Sequence, residues 1–336
     1  MNASLKWFTG HREMLLVVVL LVISVLFGLL NPSFFSAAHL FGILRSSVVL
    51  GIMALGVMTV LITNGIDISV SATAVVAMYV TTVTLNAVGF HGTVLVAILL
   101  GCLIGAVLGL VNGILVAWLK LPAMIVTIGT LTLYRGGLLA FVGTERIREL
   151  PAQMAEFGQL QLIQVSSGGR LASLHVSVLV WIVLAIGLAV VLRDTWWGRY
   201  LYAIGDNQEA ASRMGVKPDR IRISAFVLSG TMAGLAGIFY ASMNRAADPS
   251  TLVGFEMSVL AAVVLGGANV TGGRGTVLGT VLGVLLITLV GNSLVLVGIP
   301  SAWQQLFVGV FLLFGVVMPA IRDRRNRIRR GVVVAD

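Results

Sequence analysis

The run SSVVLGIMALGVMTVLIT, from Ser46 to Thr63, is followed by Asn64-Gly65-Ile66-Asp67 and then by ISVSATAVVAMYVTTVTLNAV, from Ile68 to Val88. Neither run carries a charge, and each is close to the length of about 20 residues that a helix needs to cross the hydrocarbon core of a bilayer. The polar residues between them are too few for a loop through water. An acid at that depth must face water, protein or a substrate. The stretch therefore reads as two membrane helices joined by a polar break.

Outward from this pair the pattern recurs. Further apolar runs extend from Met14 to Leu30, Thr93 to Leu119, Leu121 to Val142, Leu174 to Leu192, Ile223 to Met243, Met257 to Val270, Thr276 to Ile299 and Ala302 to Ile321, about ten spans in all. Met257 to Val270 is short for a crossing and abuts a glycine-rich segment, the mark of a half-helix or broken span. Composition agrees: 58% of the 336 residues are hydrophobic and 10% are charged, far from the quarter-charged mix of soluble domains. The expected fold is an all-α polytopic membrane protein, one transmembrane domain over residues 1–336, with some spans short or broken. Met14 to Leu30 runs into Asn31 and Pro32 without a small-residue cleavage pattern, so it reads as a span and not as a removed leader. The single cysteine, Cys102, lies inside an apolar run, which excludes an intrachain disulfide and a cysteine metal cluster.

The 22 Lys and Arg against 13 Asp and Glu give +9. Between membrane spans such an excess reports orientation rather than a nucleic-acid partner. With the N-terminus inside, about sixteen cations fall on the cytoplasmic side: Lys6, Arg12, Lys120, those between Arg193 and Arg222, Arg274, and those from Arg322 to Arg330. About five fall outside: Arg45, Arg146, Arg148, Arg170 and Arg245. Both termini are thus expected in the cytoplasm, with the basic tail 322–336 beside membrane lipid. An outer loop, 143–173, mixes Glu145, Arg146, Arg148, Glu149 and Glu156 with a Ser-Ser-Gly-Gly turn. An inner loop, 193–222, holds start and stop signals for a short helix: Asp206 or Asn207 as N-cap, Glu209 in the first turn, Arg213 in the last, Gly215 past the end and Pro218 beyond. Trp196 and Trp197 suit an interfacial belt.

Catalytic patterns are missing: there is no phosphate-binding glycine loop followed by Lys-Ser/Thr, no His-Glu-x-x-His and no Gly-x-Ser-x-Gly. His11, His39, His91 and His175 fall near span ends and read as solvated interfacial side chains, not metal ligands. What remains is polar chemistry at span breaks and inside spans. Asn64, Asp67 and Ser69 lie at the first break, and Asn269 lies in a second one, Gly266 to Gly275. Asn112 and Asn292, with Asn86, Gln304 and Gln305, offer hydrogen bonds within the membrane. Asp67 either caps a helix end or touches a gate or translocation path, for which Asn64, Ser69, Asn112, Asn269 and Asn292 are the other candidates. Arg135 either snorkels or meets a partner outside. Gly101, Gly105, Gly109 and Gly113 recur every four residues and form a smooth stripe, for packing within the subunit or at a subunit interface.

These segments resemble the inner-membrane permease subunits of ABC importers for ribose, xylose, rhamnose and autoinducer-2, which carry Gly-Gly-Ile-Asp-Leu-Ser-Val-Gly after the second span. Here the pattern stands as Asn64 to Ser71, with Asn64 and Ser71 where the family usually has glycine. The likeness continues through Trp118 to Gly137, Gly198 to Gly215 and Val264 to Gly275. It implies a non-enzymatic transport subunit that binds no cofactor, working with a second permease copy or paralogue. It also implies a cytoplasmic ATP-binding subunit that uses ATP and Mg, and a periplasmic solute-binding protein. Family position makes the inner helix a coupling helix, with Asp206, Asn207, Glu209, Ala210, Ala211, Gly215 and Val216 at the ATPase groove. An ion-coupled secondary transporter of small polar solutes remains the alternative, although it would be expected to place more acids in the membrane than Asp67.

Overall fold

A computed structural model describes residues 12–167, 170–300 and 302–329. Expectations resting on Met1, Lys6, His11, Gly168, Gly169, Arg330 and Asp336 lie outside the described residues. The chain opens with α1 (Arg12–Leu30), turns through a 3-10 helix (Pro32–Phe35) and returns as α2 (Ala37–Ile62). Then come α3 (Val70–Val88), α4 (Val94–Ala117), α5 (Ala123–Phe141), the short α6 (Ala152–Phe157) and a hairpin of β1 (Gln161–Ser167) and β2 (Arg170–His175). α7 (Ser177–Asp194), α8 (Trp196–Asp206), α9 (Gln208–Arg213), α10 (Pro218–Asn244), α11 (Phe255–Leu265), α12 (Val277–Leu296) and α13 (Ala302–Arg329) complete it.

Among the described residues eight helices are long and apolar enough to cross a membrane, α11 is a shorter apolar helix, and α13 continues from its apolar Ala302–Leu313 part to Arg329. Of the ten expected runs, eight are full spans and the one beginning at Met257 is short, as its length suggested. α2 begins at Ala37, well before the uncharged run. Ser36 caps it by accepting a hydrogen bond from the His39 amide at 3.3 Å, and Arg45 is accommodated by donating to the Met243 carbonyl at 2.6 Å. The outer loop holds α6 and the antiparallel hairpin, which pairs Gln161 with His175. His175 is not solvated as its position near a span end suggested. It is buried, with Nδ1 2.8 Å from the Ser177 hydroxyl and Nε2 3.1 Å from the Phe157 carbonyl. Burial pushes its pKa below the ordinary histidine range, which favours the neutral ring.

The bundle is centred on α2, α3, α10 and α12, whose membrane windows are 61 to 67% buried, whereas that of α1 is 11% buried. Exposed apolar side chains such as Leu29, Leu99, Leu133 and Phe141 stud the outer helices, as suits contact with hydrocarbon. Contacts between helix ends sort the connections onto two faces. On the first, Thr276 donates to Glu13 at 2.6 Å and Tyr202 to the Gly275 carbonyl at 2.7 Å. On the second, Asn31 donates to the Leu296 carbonyl at 3.1 Å, Asn86 to that of Glu149 at 2.8 Å, and Ile147 pairs with Ala247.

Candidate functional site

The first break gathers the polar side chains that the sequence scattered. Asp67 is 3% exposed. Its Oδ1 accepts from the Ser69 amide at 3.0 Å and the Ser69 hydroxyl at 2.7 Å, and its Oδ2 accepts from Ser229 of α10 at 2.8 Å. A buried carboxylate without a cation needs such donors. The Ser69 hydroxyl in turn accepts from Asn112 of α4 at 2.7 Å. Tyr134 of α5 donates to the Leu108 carbonyl at 2.9 Å and lies 3.2 Å from Asn112 Oδ1. Thr127 reaches the Ile66 carbonyl at 2.9 Å. Asp67 thus orders the start of α3 and ties it to α4, α5 and α10, and the site faces protein.

One turn on, Ser71 donates to Glu256 Oε2 at 2.6 Å, and Glu256 is itself buried. The hydroxyl standing in place of the family's glycine is therefore in use. Sequence reasoning missed Glu256 because it sits just before the short run beginning at Met257. An acid in the first turn of a helix is the signal that marks it.

The second break meets the first directly. Asn269 closes its own turn, its amide donating to the Arg274 carbonyl at 3.0 Å and its side-chain oxygen accepting from the Thr271 amide at 3.3 Å. The Gly273 amide donates to the Ile62 carbonyl at 2.9 Å. Gly272 and Gly273 have φ of 85° and 72°, and a Cβ on Gly272 would stand 2.9 Å from Asn64 and from the Gly205 carbonyl. Glycine is required there on both counts. Asn64 (φ 63°) is exposed beside it. Arg222 spans the same corner, donating to the Gln208 side chain at 3.0 Å and lying 3.4 Å from the Thr63 carbonyl. Asn64 and Asn269 therefore belong to a backbone junction of both breaks with the α8–α9 corner, separate from the Asp67 network.

At that corner Asn207 is the N-cap of α9, accepting from the Ala210 amide at 2.9 Å, while Asp206 ends α8. Gly215 has φ 86°, and the Val216 amide returns to the Ala211 carbonyl at 3.2 Å, a Schellman-type stop. Glu209 and Arg213 form an exposed pair at 3.9 Å, a contact of little energetic weight. Ala211 is 1% exposed and packs inward. The close outward approach expected of both alanines therefore falls to Ala210, beside the 74% exposed Met214.

Asn292 lies elsewhere, in a cavity of about 350 Å³ between α2, α11, α12 and α13. Its polar lining is Ser46, Ser258, Thr288, Asn292, Gln304 and Gln305, and among the described residues no Asp, Glu, Lys or Arg lines it. Asn292 donates to the Thr288 carbonyl at 2.8 Å and Gln304 to that of Gly291 at 2.8 Å. Asn86 is away from it, against the outer loop. Arg135 donates to the Thr251 carbonyl of the same chain at 3.2 Å, and its Nε is buried without a hydrogen-bond partner among the described residues.

Compared with known proteins, residues 39–316 match the family described as branched-chain amino acid transport system / permease component. The autoinducer 2 import system permease protein LsrC of Yersinia pseudotuberculosis serotype O:1b (strain IP 31758) is 37% identical over 310 residues, covering 92% of this chain and 85% of that protein. The LsrC of Escherichia coli O157:H7 is 37% identical over 314 residues, covering 92% and 87%. No solved structure matches the chain. The matched region holds both breaks, the capped helix and the cavity, and the chain belongs to this family of transport-system permease components, as its resemblance to ABC-importer permeases implies.

Proposed function

We propose that the chain is the permease subunit of an ATP-driven ABC importer that moves a neutral sugar-like solute, of autoinducer-2, rhamnose or pentose type, from periplasm to cytoplasm. The observation that carries this reading is α9: a helix stopped at both ends, exposed on one side, and seated at the corner where both span breaks meet. The first face is then cytoplasmic. There a separate ATP-binding subunit, hydrolysing ATP with Mg, grips Asp206 to Val216, and the junction of Asn64, Gly272 and Gly273 passes its movement to α2, α11 and α12. A solute-binding protein delivers from the periplasm, and a second permease, a copy or a paralogue, completes the pathway. The LsrC relatives support the solute class. The family description names branched-chain amino acids, but a zwitterion needs partners for an ammonium and a carboxylate, and the cavity offers no charged side chain among the described residues.

Glu256 gives the ion-coupled alternative a second buried acid. Ser71 satisfies it as Ser69 and Ser229 satisfy Asp67, and neither acid lines the cavity. Ala210→Trp adds bulk to the exposed side of α9, and Gly215→Val strains its left-handed stop. Both should leave the permease inserted while the co-purified ATP-binding subunit falls about tenfold, a change worth about 1.4 kcal/mol of docking. Wild-type stoichiometry together with uptake that survives ATP depletion and collapses with an ionophore would transfer the assignment to the secondary transporter.

A further inference from the structure

We infer that the cavity between α2, α11, α12 and α13 is a recognition site of the permease itself, which selects a neutral polyhydroxylated solute by its hydroxyl groups. This rests on the importer reading above and adds a place and a chemistry to it. The volume of about 350 Å³ falls within the range of about 300–1,000 Å³ for ligand pockets. Three carboxamides converge there, Asn292 from α12 and Gln304 and Gln305 from α13, with Ser258 from α11. Each amide presents a donor and an acceptor side by side, the match for neighbouring hydroxyls on a ring.

Much of that capacity is unspent. Gln304 uses one N–H on the Gly291 carbonyl, and Asn292 uses one on Thr288 while its oxygen lies 3.3 Å from the Ser46 hydroxyl. Gln305 and the Ser258 hydroxyl take no side-chain partner among the described residues. Asn292, Gln304 and Ser258 are half-buried and Gln305 is exposed, so amide and hydroxyl capacity left over inside the bundle is costly unless water or a ligand meets it, and Gln305 is free to meet a ligand. Phe255, Phe307 and Phe311 add ring faces for the C–H side of a sugar. The site lies toward the second face, where a binding protein would release its load. Two of its walls, α2 and α11, run to the junction at Ile62 and Gly266.

The test uses the complete importer in proteoliposomes, with its ATP-binding subunit, solute-binding protein and both permeases. Ribose, rhamnose and autoinducer-2 are the probes, each paired with an analogue lacking one hydroxyl. Gln305→Leu and Ser258→Ala should lower uptake of the transported parent up to about tenfold, the effect of one lost hydrogen bond, and that of the matching deoxy analogue less than about twofold. If parent and analogue fall together, or neither falls, the cavity is not a recognition site while the importer reading stands. Wild-type protein that takes up none of the three with ATP overturns both. Should Gln305→Leu fail to assemble, Ser258→Ala, a single-atom deletion, carries the same comparison.

Discussion

Asp67 is a carboxylate deep in a membrane protein held by hydroxyls and an amide rather than by a cation. Asp67→Ala removes their acceptor and leaves the O–H donors of Ser69 and Ser229 buried without a partner, at about 1–3 kcal/mol each, although Asn112 still donates to the Ser69 oxygen. Asp67→Asn keeps an acceptor oxygen, and its amide N–H can donate to Ser229. The alanine variant should therefore lose more melting temperature and assembled yield in detergent than the asparagine variant; the reverse order would refute the network. The prominence of Asp67, Asn64 and Ser69 was legible because polar residues stood out between apolar runs. Ser229, Thr127 and Tyr134 were not, since a lone hydroxyl in a span can bond its own helix backbone, as Thr82 does to Met78, and nothing local shows which will reach across.

Among the helices, α4 and α10 make the closest pair. A Cβ on Gly105 would run into the Gly230 carbonyl and one on Gly109 into that of Phe226, and Gly230 and Gly234 meet α4 in the same way. Gly105→Leu should open this seam, at about 1–3 kcal/mol or more, and lower monodisperse yield. Gly129→Leu on α5, where nothing lies within 4 Å, should be tolerated. Equal losses in the two would show that glycine serves the backbone and not the contact. The four-residue spacing revealed a smooth face, but both partners it allowed were plausible, and only the three-dimensional path of α10 assigns the contact to the same chain. The ends of α9 were legible to within one residue because capping is local chemistry; of the two N-caps offered, Asn207 takes the role and Asp206 ends α8. The inward turn of Ala211 was not, because it depends on what lies beneath the helix.

Across the whole molecule, the breaks and α8–α9 occupy one face while the hairpin and α6 occupy the other. The charge asymmetry of the sequence predicts that the first face is cytoplasmic. In a Cys102→Ala background, an impermeant maleimide should label Arg146→Cys in intact spheroplasts and Arg213→Cys only after permeabilisation; the opposite pattern would invert the topology and remove the ATP-binding subunit from α9. The seam between α4 and α10 also bears on biogenesis. α4 ends at Ala117 and α10 starts at Pro218, so about 100 residues must be synthesised before the groove acquires its lid. Until then nascent α4 presents bare backbone to lipid, and a chain truncated within that interval should be marked for membrane proteolysis even though each of its spans has inserted.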